Sequence, residues 1–227
     1  NMIRIRTLLA LLFVLSVVTI AGCASSSSAL PEEWDGLVRQ PGTRLGAVFV
    51  KPDAEIVAYQ NVLLDPVEVS FARNWTPNRG GRSGPTRLDT ADVAAIQSGL
   101  AELFRETFRA ELARGGYKLV DEAGPDTIRV TAAIVDLYVT APDTMTAGRS
   151  RVYTANTGRM TLVAELRDSM TGEILARAVD ARSARSTGTW NITNRVTNTA
   201  DARRAMGIWA TALRQALDEM YGRAKTE

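Results

Sequence analysis

The chain has 227 residues, is 45% hydrophobic and 23% charged, and contains no histidine and one cysteine. That inventory excludes an intramolecular disulfide, zinc sites built on His or Cys, and catalytic triads that need a histidine base. The formal charge of +2 resides in Arg4 and Arg6; without residues 1–22 there remain 25 basic and 25 acidic residues, unlike the basic excess of nucleic-acid-binding domains, so no nucleic-acid partner is expected. Carboxylate, Lys, Tyr and Ser/Thr chemistry is the narrow remainder, and an enzyme, a cofactor and a metal site are not expected.

Arg4 and Arg6 form a basic start with no acid before Glu32, followed by a continuous apolar run from Leu8 to Ile20. A spanning helix needs about 20 apolar residues and this run is shorter, so it reads as an export signal. Ile20-Ala21-Gly22-Cys23 resembles the lipobox of bacterial lipoproteins: an aliphatic residue, two small ones, then cysteine. The resemblance implies cleavage after Gly22, a diacylglycerol on the Cys23 thiol and acylation of the new amine. Several acyl chains anchor stably where one is marginal, because each buried CH₂ contributes about 0.8 kcal/mol. In lipoproteins of this type Asp after the cysteine favours inner-membrane retention; here Ala24 stands there. In a host with two membranes the expected location is therefore the periplasmic face of the outer membrane, with inner-membrane anchoring the less favoured alternative.

Residues 1–22 are therefore expected as a signal peptide, 23–40 as a lipidated tether, 41–222 as one folded domain and 223–227 as a polar tail. Trp34 and Leu37 within the tether could dock on the domain or dip into the membrane interface, and docking is the favoured expectation. The first strand is predicted over Leu45–Val50, and a second runs from Asn61 to Phe71, where Val67, Val69 and Phe71 alternate with Glu68 and Ser70. Pro66 cannot donate to a ladder, so this strand is expected at an edge or with a bulge. Arg73–Arg87 is Gly/Pro-rich, basic and read as a loop. Asp89 is a natural N-cap for a first helix, whose stripe Ile96, Leu100, Leu103, Phe104, Phe108 and Leu112 ends at Gly115-Gly116. A short strand at Tyr117–Val120 and a long one over Thr127–Val139 follow. After a polar stretch from Ala141 to Gly158, strands Arg159–Asp168 and Glu173–Asp180 flank the hairpin turn Ser169-Met170-Thr171-Gly172. A last helix from about Ala200 to Tyr221 aligns Ala205, Met206, Trp209, Leu213, Ala216, Leu217 and Met220. The order β-β-α-β-β-β-β-α has too few helices to cover both faces of a sheet. The expected fold is α+β: a mainly antiparallel sheet with two amphipathic helices on one face.

Val50-Lys51-Pro52, Tyr59, Val62–Val69, Tyr117–Asp121, the hairpin Ala164–Glu173 and Trp209 together resemble an uncharacterised proteobacterial lipoprotein family, domain of unknown function 3313, from about Trp34 to Tyr221. The resemblance implies a small lipid-anchored α+β domain; it supplies no activity and no site residues.

Candidate contacts follow from the residues themselves. Asp65, Glu68, Asp136, Glu165, Asp168 and Asp180 could in principle do acid–base or metal work, but alternation and turn positions favour structural roles. Arg79–Gly84 lacks the strand–loop–helix context and the Lys of a phosphate-binding loop and reads first as a flexible linker; the binding reading kept beside it is anionic headgroups or lipopolysaccharide held by Arg73, Arg79, Arg82 and Arg87. Trp75 and Trp190, in predicted loops, are candidate contacts for a partner or a membrane surface, and equally could lid the open face of the sheet. The expected role is an accessory or scaffold lipoprotein, membrane-bound through its lipid, docking on an envelope protein or the cell wall. The alternative is a lipid or small-ligand carrier using the open sheet face, which would need an apolar concave pocket.

Overall fold

The computed structural model describes residues 31–54, 59–76, 89–140, 156–183 and 195–222. Ile20, Ala21, Gly22, Cys23, Arg79, Arg82, Arg87 and Trp190 lie outside the described residues. The described elements are β1 (Glu33–Trp34), β2 (Leu37–Gln40), β3 (Ala47–Val50), β4 (Asn61–Leu64), β5 (Glu68–Phe71), α1 (Thr90–Arg114), β6 (Lys118–Val120), β7 (Thr127–Thr140), β8 (Asn156–Asp168), β9 (Ile174–Ser183) and α2 (Arg195–Met220). The strands form one sheet in the order β1-β2-β3-β9-β8-β7-β4-β6, with β5 also on β7. β4 pairs in parallel with β6 and β7, and β5 with β7. The remaining ladders are antiparallel, so the α+β expectation holds. Parallel neighbours need a crossover, and α1 supplies it between β4 and β6.

Helix α1 starts where its donors are satisfied. The Asp89 carboxylate accepts from the Asp92 N–H at 2.9 Å, and the Asp92 carboxylate accepts from the Asp89 N–H at 2.8 Å, a reciprocal cap. Ile96, Leu100, Phe104, Phe108 and Leu112 are buried at helical spacing. The helix stops at Gly115 and at Gly116, whose φ of +73° suits a residue without Cβ. α2 lies beside α1 and runs the same way. The early turns of both, with Ile96, Phe104, Ala202 and Met206, pack over Ile134, Met160 and Leu162; the later turns, with Leu112 and Leu217, pack over Val62, Ile128 and Leu166. No described helix is long and apolar enough to cross a membrane.

Register fixes which strand residues meet the helices. Val130, Ala132 and Ile134 lie opposite Leu166, Ala164 and Leu162, which lie opposite Ala176, Ala178 and Asp180. These residues share the helix face, since side chains directly opposite one another point the same way. Arg129, Thr131, Ala133, Glu165, Val163, Arg177 and Val179 point to the far face. The ladder shifts register between Val135 and Tyr138, around Asp136 with φ +53°. The extra residue brings Leu137, like Ile134, to 0% exposure.

Two sequence expectations are corrected. Asn61–Phe71 is two strands, because the chain leaves the ladder at Asp65-Pro66-Val67; Pro66 has no N–H to give, and Val67 turns into the core. Residues 33–40 are part of the folded body and not of a tether. Asp35 and Gly36, with φ of +54° and +77°, make a two-residue turn between β1 and β2. Leu37 is buried and Trp34 half-buried, so both dock as expected.

Candidate functional site

The expected contact residues fall in stretches whose described flanks reach one end of the sheet. Phe71, closing β5, is opposite Leu137; beside it Tyr138 of β7 is opposite Arg159 of β8, and Arg159 is opposite Ser183, the last residue of β9. In sequence, these residues lie within a few positions of the ends of the stretches 77–88, 141–155 and 184–194, which are outside the described residues. Both helices begin at the same end: Gln97, in the second turn of α1, donates through Nε2 to the Val69 carbonyl at 2.7 Å. Trp75 stacks on Phe71 with ring centroids 4.0 Å apart and planes 17° apart, and packs at the margin of the core. It is half-buried. The chain thus builds a firm platform at this end from Phe71, Trp75 and the helix starts.

Of the strand carboxylates, Asp65, Glu165, Asp168 and Asp180 each have a local partner. Asp65 pairs with Arg129 at 2.7 Å. Glu68 is exposed and Asp136 sits in the bulge of β7. Asp168 organises the β8–β9 hairpin: its Oδ1 accepts from the N–H groups of Met170 at 2.9 Å and Thr171 at 2.6 Å, and its Oδ2 accepts from the Tyr59 hydroxyl at 2.7 Å. Bonds from the Thr171 backbone and from Tyr59 hold the Asp168 carboxyl below its usual range. Burial, together with that carboxylate, pushes the Tyr59 hydroxyl up to about 12. Asp180 is buried against α2, accepting from Trp209 Nε1 at 2.7 Å and from the Gly46 N–H at 2.9 Å, with Arg182 on the same oxygen as Trp209.

Between the helices, Glu111 accepts from Arg214 Nε at 2.8 Å, Arg214 also reaches Asp218, and Asp218 accepts from the Tyr117 hydroxyl at 2.7 Å. Burial alone would raise the Glu111 carboxyl; the bonds from Arg214 and Arg114 outweigh it and leave it lowered. Among the described residues, no group of three or more acidic or cysteine side chains is placed to hold a metal ion.

The far face carries a charged cluster that sequence reading missed. Arg177 has a side chain 8% exposed, with Nε 2.8 Å from Glu165 and Nη1 2.8 Å from Asp35. Its guanidinium lies 4.3 Å from the Trp34 ring centroid, and Trp34 meets Phe49 edge-on at 5.7 Å. Burial would lower the Arg177 pKa, but its two carboxylate partners raise it. Arg167 also grips Glu165. The signal that could have found part of this was Asp35-Gly36 between Trp34 and Leu37, a short hairpin pattern; the pairing of Asp35 with Arg177 across 142 positions is non-local. An open depression beside the β2–β3 turn is lined by Glu32, Arg39, Gln40, Pro41, Gly42, Thr43, Leu45 and Gly46. That lining is mostly polar.

The family model described as "Protein of unknown function (DUF3313)" matches residues 26–213. The chain belongs to this family. No curated protein sequence matches it significantly. Among solved structures, this DUF3313 chain is similar to a DUF330 protein from Xanthomonas campestris, with 12% identity, TM-score 0.41, and 73% of this chain and 89% of that one covered. It is also similar to a minor lipoprotein from Acinetobacter baumannii, with 12% identity, TM-score 0.33, and 73% and 95% covered. The PelC dodecamer from Paraburkholderia phytofirmans gives 11% identity, TM-score 0.35, and 68% and 89% covered. Likeness at this level assigns neither role nor partner to the DUF3313 chain.

Proposed function

We propose that the chain is an envelope lipoprotein, cut after Gly22 and acylated at Cys23, whose folded body serves as an accessory protein at the periplasmic face of the outer membrane. The lipobox Ile20–Cys23 supports the anchor. The body meets an envelope partner, an envelope protein or the cell wall, through the end of the sheet that holds the row Phe71, Leu137, Tyr138, Arg159 and Ser183. The observation carrying this is the convergence on that end of the flanks of all three stretches that hold Arg79, Arg82, Thr146 and Trp190, next to Trp75. Loops that leave a rigid platform together can form one contact surface. The carrier alternative draws less support, because the far face places the charged residues Arg129, Arg167, Glu165 and Arg177 where an apolar pocket would be needed.

Two experiments test the proposal separately. Intact mass spectrometry of the membrane-extracted protein, against Cys23→Ser, reads the anchor; an unmodified wild-type Cys23 sinks the lipoprotein reading. Photo-crosslinking residues at Thr76, Arg82, Thr146 and Trp190 read the contact surface. Reproducible capture of one envelope protein or of peptidoglycan from these sites, and not from Glu106 on the outer face of α1, supports docking. Capture of lipid alone favours the carrier alternative, and silence from all four sites in folded protein overturns the docking reading.

A further inference from the structure

The hairpin β1–β2 covers the edge strand β3 yet is lightly held. Of residues 31–40 only Leu37 is buried, Trp34 and Arg39 are half-buried, and the other seven are exposed. Its apolar contacts, Leu37, Ala47 and Phe49 with Trp34 and Ile174, form a cluster separate from the two that join the helices to the sheet. The ladder between β2 and β3 has three register pairs, Val38–Val50, Arg39–Phe49 and Gln40–Val48. Small, separately clustered elements open at less cost than the whole fold.

What opening would leave behind is specific. Arg177 loses Trp34 and Asp35 but keeps Glu165, so its buried charge stays paired. β3, with the sequence Ala-Val-Phe-Val, becomes an unpaired apolar edge, and Phe49 and Ala47, now 0% and 1% exposed, lose a cover. An edge of that kind takes another strand. The strand of demonstrated fit is Leu37–Gln40 itself, with Trp34 on the adjoining β1 supplying the ring for Phe49 and Arg177 and Asp35 in the turn supplying the carboxylate for the guanidinium. Between hairpin and β3 run Pro41-Gly42-Thr43-Arg44-Leu45-Gly46, exposed except for half-buried Leu45, with Gly42 at φ +72°. This segment can act as a hinge.

We propose that residues 31–40 form an exchangeable latch, and that the β3 edge accepts the same hairpin from a second copy of the chain. Every contact made within one chain is reproduced between two, so the exchange changes connectivity and not chemistry. The proposal stands whether or not Cys23 carries lipid.

The test uses the full chain extracted from membranes in detergent, with Val38→Cys and Val50→Cys marking the ladder. Unlabelled and ¹⁵N-labelled preparations are mixed, incubated at rising concentration and oxidised, and disulfide-linked peptide pairs are sorted by isotope. Exchange predicts mixed-isotope disulfides between positions 38 and 50, whose share rises several-fold with concentration and falls again on dilution before oxidation. Removing Gly42 and Thr43, so that the hairpin no longer reaches its own β3, should raise the mixed share of an equal mixture to about half, the limit when every pair is intermolecular and partners are drawn at random. Same-isotope pairs alone at every concentration overturn the proposal. Should the shortened chain fail to fold, the concentration series on the full-length hinge decides by itself. Links through Cys23 would report an unlipidated thiol, and these are told apart by peptide mass.

Discussion

Replacing Asp180 with Ala should test how α2 is held to the sheet. Trp209 is 1% exposed and its Nε1–H has Asp180 as acceptor at 2.7 Å. A buried donor left without a partner costs about 1–3 kcal/mol, and losing the second bond, from the Gly46 N–H, adds about 1 kcal/mol. Arg182, with a side chain 32% exposed, can turn to water and contributes little. The expected loss is about 2–4 kcal/mol. With a urea m-value of about 2 kcal/mol/M, the unfolding midpoint falls by about 1–2 M without a change in slope. Followed by far-UV circular dichroism and Trp fluorescence, Asp180→Ala, Trp209→Phe and the double variant complete a cycle. Trp209→Phe removes the orphaned donor, so the double variant should be more stable than additivity predicts by about 1–2 kcal/mol. A midpoint for Asp180→Ala corresponding to less than about 0.5 kcal/mol, or strict additivity, would refute the reasoning.

Tyr59 should resist ionisation until about pH 12 in a phenolate absorbance titration, later than free tyrosine, and Asp168→Asn should bring it down. The sign of the linkage follows: the folded state holds the Tyr59 proton more tightly, so this contribution is full below the unfolded pKa near 10 and is lost as pH rises toward 12. Asp168 acts oppositely, since its lowered pKa stabilises above about pH 4 and that contribution is lost as pH falls through the folded value; urea midpoints at pH 5 and pH 3 should differ less in Asp168→Asn. Gly36→Val puts a β-branched side chain at φ +77° and should weaken the β1–β2 hairpin by about 1–2 kcal/mol. Amide exchange at Val38–Gln40 should speed up several-fold while exchange in β7 and β8 is unchanged; equal acceleration in both would show that the hairpin is not a separate unit. Arg177→Lys should loosen the same hairpin, because an ammonium cannot hold Glu165 and Asp35 and also stack on Trp34; unchanged Trp fluorescence and hairpin exchange would count against that.

Local chemistry made much of this fold legible from sequence. Asp89, the apolar stripe from Ile96 to Leu112 and Gly115-Gly116 delimit α1 by capping and periodicity alone. Ser169–Gly172 between alternating strands marks the β8–β9 hairpin, and Asp168 holds that turn as its position implies. The absence of histidine and the placement of Cys23 are inventory, readable without coordinates. Tertiary structure decided the rest, because it depends on contacts between residues far apart in the chain. Pro66 signals a break, but only the neighbour β7 shows that β4 and β5 both run parallel to it. Asp35-Gly36 is a turn pattern, while the burial of Trp34 and Leu37 depends on Phe49 and Arg177. Asp136 carries no signal in sequence; its bulge exists because Leu137 must reach the helix face. The approach of the described flanks Phe71, Tyr138, Arg159 and Ser183 to one end of the sheet is likewise a matter of strand direction, set by pairing between distant segments.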